Sequence, residues 1–157
     1  MPSSYTLTHT QWLPRPIEAV FDFFSRSSNL QVITPPSLNF QITEAPERIQ
    51  TGSLIKYRLR VHAVPVRWAT EIIAWNPPHS FVDVQLSGPY KKWHHEHKFV
   101  AERGGTTLSD EVQYALPFGP LGKMVHWMFV RRDVERIFEY RSQKMRELFG
   151  SDARTGT

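Results

Sequence analysis

The last third of the chain carries its apolar residues at helical spacing. At 100° per residue, Trp127, Val130, Val134, Ile137, Phe138, Met145 and Leu148 fall on one stripe, with Arg131, Arg132, Glu135, Arg136, Glu139 and Glu147 around it. One long helix is predicted over 118–149, about 40 Å at 1.5 Å per residue. Gly119, Pro120 and Gly122 mark its start, and Gly150 offers a left-handed cap at its end. Leu121, Met124, Val125, Met128 and Phe129 cluster on a different side. The first turns are therefore expected to meet something other than the core: loop tips at a cavity mouth, a second copy of the chain, or an entering ligand.

Ahead of that helix the pattern has period two. Tyr5 to Leu13 reads as a strand, broken by Pro14-Arg15-Pro16. Ile17, Val20, Phe21 and Phe24 then recur as a short helix, and Asn29 to Thr34 as another, stopped by Pro35-Pro36. Leu38, Phe40 and Ile42 alternate with polar residues, as do Ile55 to Val61 and Val64 to Ile72. Phe81 to Leu86, Tyr90 to Val100 and Thr107 to Leu116 follow, joined by the turns Ser87-Gly88-Pro89 and Gly104-Gly105. The order is strand, two short helices, six strands, long helix. This predicts an α+β fold: a curved antiparallel sheet of about seven strands around the C-terminal helix, with two short helices after the first strand. Curvature holds the centre of such a sheet off the helix, and that gap suits a small molecule.

Composition narrows the class. The chain has 157 residues, 40% of them hydrophobic and 13% aromatic, which suits one domain over 1–150 with a flexible tail at 151–157. There are no cysteines, which excludes disulfides, thiolate ligands and cysteine nucleophiles. A net charge of +4, spread among acids, does not suggest a nucleic-acid surface. The sequence shows no membrane-spanning apolar run and no signal-peptide pattern, so a cytoplasmic location without a stable membrane anchor is expected.

Several runs resemble the START-like, or Bet v 1-like, superfamily with its helix-grip fold. They are Pro14-Arg15-Pro16-Ile17-Glu18-Ala19-Val20-Phe21, Asn29-Leu30 through Thr34-Pro35, and Phe81-x-Asp83-x-Gln85 leading through Gly88-Pro89-Tyr90 to Trp93-x-His95-x-His97-x-Phe99. Leu108-x-Asp110-x-Val112-x-Tyr114 and Pro117-Phe118-Gly119-x-Leu121-Gly122 complete the resemblance, which is nearest to a bacterial cyclase/dehydrase-like ligand-binding branch. The superfamily binds lipids, polyketides, quinones and hormones, and some members are aromatases or cyclases. The resemblance implies a cavity rather than a particular reaction.

Candidate chemistry gathers on two strands. Trp93, His95, His97 and Phe99 share one face, and aromatic ends turn that face inward. Leu108, Asp110, Val112 and Tyr114 share a face of the neighbouring strand, which brings Asp110 within reach of the histidines. His95, His97 and Asp110 are thus the candidate catalytic set, in which Asp110 would orient an imidazole for acid–base work. The same residues can instead form a satisfied polar network in a cavity wall. His-x-His beside a carboxylate is also a common metal-ligand set. The spacing after Gly88 departs from a cupin motif, so neither metal nor cofactor is expected.

The expected cavity lining is Tyr57, Trp68, Trp93, Phe99 and Tyr114, with Thr70 beside them and Met124 and Met128 at the entrance. Strict alternation would turn Asp83 and Gln85 outward; the family pattern turns them inward, and the inward set is taken. Arg141 lies within the helix's apolar stripe, either snorkelling to solvent or facing a cavity carboxylate or anionic ligand. His9, His62, His79, His94 and His126 form no constellation and read as surface or turn residues.

The expected function is binding of a small apolar or amphipathic molecule between sheet and helix. The alternatives are a cofactor-free cyclase, dehydratase or hydrolase using the His–Asp pair, and an interaction module for a neighbouring enzyme. A homodimer through the first turns of the long helix competes with the entrance reading.

Overall fold

Residues 4–150 are described in the computed structural model; the expected tail at 151–157 lies outside them. The sheet opens with β1 (Ser4–Leu13). Pro16 then ends the extended backbone and starts α1 (Ile17–Ser25), which buries Val20, Phe21 and Phe24. A one-turn α2 (Asn29–Val32) follows, and Asn29 Nδ2 donates to the Phe23 carbonyl at 2.8 Å, tying the two helices together.

Six strands then run β2 (Gln41–Glu44), β3 (Leu54–Val61), β4 (Val64–Asn76), β5 (Ser80–Ser87), β6 (Lys92–Glu102) and β7 (Gly105–Ala115). The expected strand from Leu38 is shorter than its alternation suggested. Pro36–Leu38 forms a single 3-10 turn, and Asn39 takes a left-handed conformation at φ 48°, so pairing starts only at Gln41. Leu38 and Phe40 keep their inward direction without being in the ladder.

All pairings are antiparallel, in the order β1-β7-β6-β5-β4-β3-β2. The last six strands are a meander, and β1 closes it by lying along β7. Bulged registers interrupt β4–β5 between Ala69 and Thr70 and between Ile72 and Ala74, where extra residues increase bend and twist.

The concave face holds the C-terminal helix: α3 (Gly119–Val125), a π-helical turn at His126–Val130, and α4 (Arg131–Phe149) without a break. The π turn accounts for the change of apolar face. One extra residue advances the helix by about 100°, so an apolar face on one side of it cannot continue straight across. Two expectations for the stripe fail for this reason and for its ending. Trp127, within the π turn, is 66% exposed, with the Arg131 guanidinium 5.4 Å over its ring. Leu148 is exposed, and Phe149 takes its place inward, edge-on to Phe23.

Val134, Phe138, Ser142 and Met145 form the buried face of α4. Gln11 in β1 fixes it laterally by donating from Nε2 to the Ser142 carbonyl at 2.6 Å. The main apolar cluster lies under α1, where Phe21, Phe24, Phe81 and Phe99 meet Leu13, Ile72 and Met145. A second cluster joins Val112 and Tyr114 to Val134 and Phe138. Between the two, the sheet stands away from α4. No helix among the described residues is long and apolar enough to cross a membrane.

Candidate functional site

Register builds the site. β6 sits between β5 and β7, with Asp83 opposite His95, Phe81 opposite His97, and His97 opposite Asp110. All these side chains project from the concave face. Each carboxylate reaches one imidazole diagonally across the strands, at the separation where long side chains still meet. His95 Nε2–H donates to Asp110 Oδ1 at 2.8 Å, and His97 Nε2–H donates to Asp83 Oδ2 at 2.7 Å. The remaining ring nitrogens complete a square. His95 Nδ1 is 3.7 Å from Asp83 Oδ2, and His97 Nδ1 is 3.2 Å from Asp110 Oδ1, off the direction of a proper hydrogen bond. The imidazoles stack on each other at 3.6 Å between centroids, and Phe81 stacks on His97 at 3.9 Å. Phe138 of α4 meets His95 edge-on.

Burial alone would raise both carboxyl pKa values, but the imidazoles outweigh it and hold Asp83 and Asp110 below the usual carboxylate range. Burial also disfavours imidazolium. At His95 it prevails, helped by repulsion from His97, and the pKa falls. At His97 the two carboxylates prevail and the pKa rises. The surroundings thus favour the neutral form at His95 and the charged form at His97. Burial lowers the Arg141 pKa, while Asp110 and Asp83 oppose the fall.

The cluster floors an inner cavity of about 150 Å³, lined by Tyr57, Trp68, Thr70, Asp83, Trp93, His95, His97, Phe138 and Arg141 among others. Asp110 does not reach it and lies behind the imidazoles. An outer chamber of about 870 Å³ runs beneath α3 and the π turn, lined by Val66, Pro117, Leu121, Val125 and Val130 among others. Leu38, Leu59, Trp68, Tyr90 and Ile137 line both spaces and form the neck between them.

Tyr57, Trp68, Thr70, Asp83, Trp93 and Arg141 thus line the inner cavity, and His95 and His97 meet Asp110. The inward choice for Asp83 holds. Gln85 does not line either space. It folds back on the turn, donating from Nε2 to the Tyr90 carbonyl and accepting from the Tyr90 amide. Gly88 permits this approach, since a Cβ there would meet Gln85 Oε1 at 2.6 Å. Phe99 belongs to the apolar cluster under α1 rather than to the lining. Tyr114 packs on Tyr5 and hydrogen-bonds His126 instead.

Met124 and Met128 lie on the outer face of the helix, 54% and 56% exposed, and line neither space. Leu121 and Val125 line the outer chamber there, Leu121 from an exposed position at its rim. His126 was expected at the surface but is 2% exposed, stacked on Tyr5 at 3.5 Å with Nε2 2.8 Å from the Tyr114 hydroxyl. Burial raises the Tyr114 pKa to about 12. Arg141 does not snorkel: its Nε is buried without a hydrogen-bond partner, and the guanidinium lies 5.3 Å over the Phe138 ring. Tyr90 and the neck residues Leu38, Leu59 and Ile137 were not singled out from sequence. Their sequence signals were a place in the Gly88-Pro89-Tyr90 run for Tyr90, apolar alternation for Leu38 and Leu59, and the helix's apolar stripe for Ile137.

Solved structures share this architecture. Protein CV1439 from Chromobacterium violaceum aligns at TM-score 0.72 and 14% identity, over 94% of this chain and 99% of that one. Protein Ms6760 from Mycobacterium smegmatis aligns at TM-score 0.67 and 18% identity, over 91% and 89%. Ara h 8.0201 aligns at TM-score 0.64 and 16% identity, over 91% and 98%. At these identities the likeness shows the fold. No curated protein sequence matches the chain. The family described as polyketide cyclase / dehydrase and lipid transport matches residues 13–139, which include the short helices, the neck and the His–Asp cluster. This protein belongs to that family, and its fold is the START-like, Bet v 1-like helix grip.

Proposed function

We propose that the protein binds one amphipathic small molecule, its polar end in the inner cavity and its apolar body passing through the neck into the outer chamber. The observation that carries this reading is a pair of buried donors without partners in the wall of the inner cavity. Trp68 Nε1–H and Arg141 Nε–H both belong to the lining, and neither has a hydrogen-bond acceptor among the described residues. A buried donor left unpaired costs about 1–3 kcal/mol, which a ligand's acceptor oxygen would remove. The guanidinium favours an anionic or strongly polarised oxygen, such as a carboxylate, phenolate or conjugated carbonyl. The match to a polyketide cyclase and lipid transport family is in keeping with such a ligand.

The test is a thermal-shift screen with fatty acids, aromatic acids and quinones, beside native mass spectrometry of gently purified protein. Acceptor-bearing apolar molecules are expected to raise the melting temperature, and Arg141→Met to abolish the preference for them over the parent hydrocarbons. Equal shifts for hydrocarbon and acid would overturn the polar-end assignment.

A second reading, acid–base catalysis on the bound molecule, is favoured by the 2.8 Å bond from His95 to Asp110, the arrangement by which a carboxylate orients an imidazole. Both Nε2 atoms are occupied by carboxylates, which places this reading second. Turnover lost in Asp110→Asn with ligand affinity retained would establish it.

A further inference from the structure

We propose that Asp83, His95 and His97 form a binding site for one divalent transition-metal ion of the zinc class, with Asp110 as the residue that orients both imidazoles. The inference goes beyond ligand binding and stands independently of it. The metal donors come from neighbouring strands: the two histidines two residues apart on one face of β6, and Asp83 beside them on β5. Their available ligand atoms all lie within 4.8 Å of one another.

Tautomer points the same way. His95 donates Nε2–H to Asp110, so in the neutral ring Nδ1 is an unprotonated acceptor. That nitrogen faces Asp83 Oδ2, another acceptor, at 3.7 Å. A cation placed between these two acceptors would relieve their mutual repulsion in the buried site. His97 Nε2 is directed at the same oxygen from 2.7 Å. Separations of 2.7 and 3.7 Å bracket the spacing of about 3.4 Å expected between ligand atoms around a tetrahedral ion bound at about 2.1 Å.

The opposite edge of the imidazole pair has the arrangement that metal-ligating histidines use. Asp110 Oδ1 lies 2.8 Å from His95 Nε2 and 3.2 Å from His97 Nδ1, so one carboxylate can accept both outward N–H groups. With its Nδ1 protonated and the ring turned toward Asp110, His97 would gain the hydrogen bond that nitrogen now lacks and free Nε2 for the ion. Two nitrogens and one carboxylate oxygen suit a zinc-class ion and leave coordination positions open. Those positions would face the inner cavity, which Asp83, His95 and His97 all line and Asp110 does not. Arg141 lines the same cavity and would favour an anionic oxygen as the further ligand. The sequence argued against a metal because the spacing after Gly88 departs from a cupin motif; the completing donor, Asp83, lies on a different strand from the one that spacing concerns.

The test uses the full chain, stripped with EDTA and titrated with Co²⁺, then Zn²⁺, without any organic molecule. One equivalent of Co²⁺ should give a visible d–d absorption band that Zn²⁺ displaces. Crystals soaked in Zn²⁺ should show one anomalous peak bonded to Asp83, His95 and His97. Asp83→Asn and His97→Gln should each weaken Co²⁺ binding by about 100-fold or more, Asp110→Asn by about 10–100-fold, and His79→Gln not at all. Should His97→Gln fail to fold, Asp83→Asn and the anomalous map decide. The absence of a band in the wild type, or a band and peak unaltered in Asp83→Asn, would overturn the site. Organic-ligand shifts play no part in these readouts, so either proposal can fail alone.

Discussion

Asp110 holds the cluster together from behind. It is buried, outside the cavity, and contacts both imidazoles through one oxygen. Removing its charge leaves two buried rings without their common partner, a loss that is more than local. In metal-free protein, Asp110→Asn and His95→Gln are expected to be non-additive by about 1 kcal/mol or more in a double-mutant cycle of unfolding free energies; additive effects would mean that the bond contributes nothing. The pH dependence follows from the directions of the shifts. Asp83 and Asp110, held low, give stability that is present above the unfolded carboxyl value near 3.9 and is lost as pH falls through their folded values. His97, held high, gives stability present below about 6.5 and lost as pH rises through its folded value. His95, held low, opposes it, since charging the buried ring costs stability as pH falls below about 6.5. The two imidazole effects are opposite in sign and centred at about pH 6.5, so the carboxylates set the limb below about pH 4. Urea midpoints of EDTA-treated protein should fall steeply below about pH 4, and less steeply for Asp110→Asn. Parallel acid limbs would contradict the assignment.

At the scale of elements, the C-terminal helix has two halves with different tasks. α4 is anchored by Val134, Phe138 and Met145 and by the bond from Gln11. Phe138→Ala should cost about 3–5 kcal/mol in chemical denaturation, because the ring fills the space between His95 and the second apolar cluster. α3 and the π turn present Leu121, Met124, Trp127, Met128 and Phe129 to solvent while Val125 and Val130 roof the outer chamber. A π turn strains the regular ladder, and such segments are often functional. Amide hydrogens over 121–130 are expected to exchange faster than those over 134–148, and to slow when a ligand fills the chamber. Slowing that follows protein concentration instead would assign this surface to a dimer. Uniformly slow exchange along a monomer's helix would remove both roles.

For the molecule as a whole, the consequence of gripping a helix with a curved sheet is a two-part space with a neck. A ligand that binds only the folded chain, present at 100 times its Kd, adds about 2.7 kcal/mol. For a domain of this size that corresponds to a rise of about 5–10 °C in melting temperature. Leu59→Trp, which narrows the neck, should abolish that rise at a cost of about 1–3 kcal/mol in stability. An unaltered ligand shift in that variant would place the binding path elsewhere.

Much of this was legible in the chain. Period two fixed which residues of β6 and β7 face inward, because a strand buried on one side leaves its side chains no other choice. Hairpin adjacency then brought Asp110 to the histidines. Helical periodicity located α4, and the change of apolar side around Met124 and Phe129 was visible in it, though not the π turn that causes it. What period two cannot give is the diagonal partner across strands or the effect of a bulge. Asp83 and Gln85 stand on the same strand face, yet one reaches His97 and the other closes a turn. His126 read as a surface residue and Arg141 stood between two readings, because a helix's sequence does not say how far a π turn rotates it or how close a curved sheet stands. Met124 and Met128 read as lining for the same reason, since only the rotation sends them outward. Local sequence determines the faces of this protein's elements; the twist of the sheet and the rotation of the helix, set by packing across the whole chain, decide which of those faces meet.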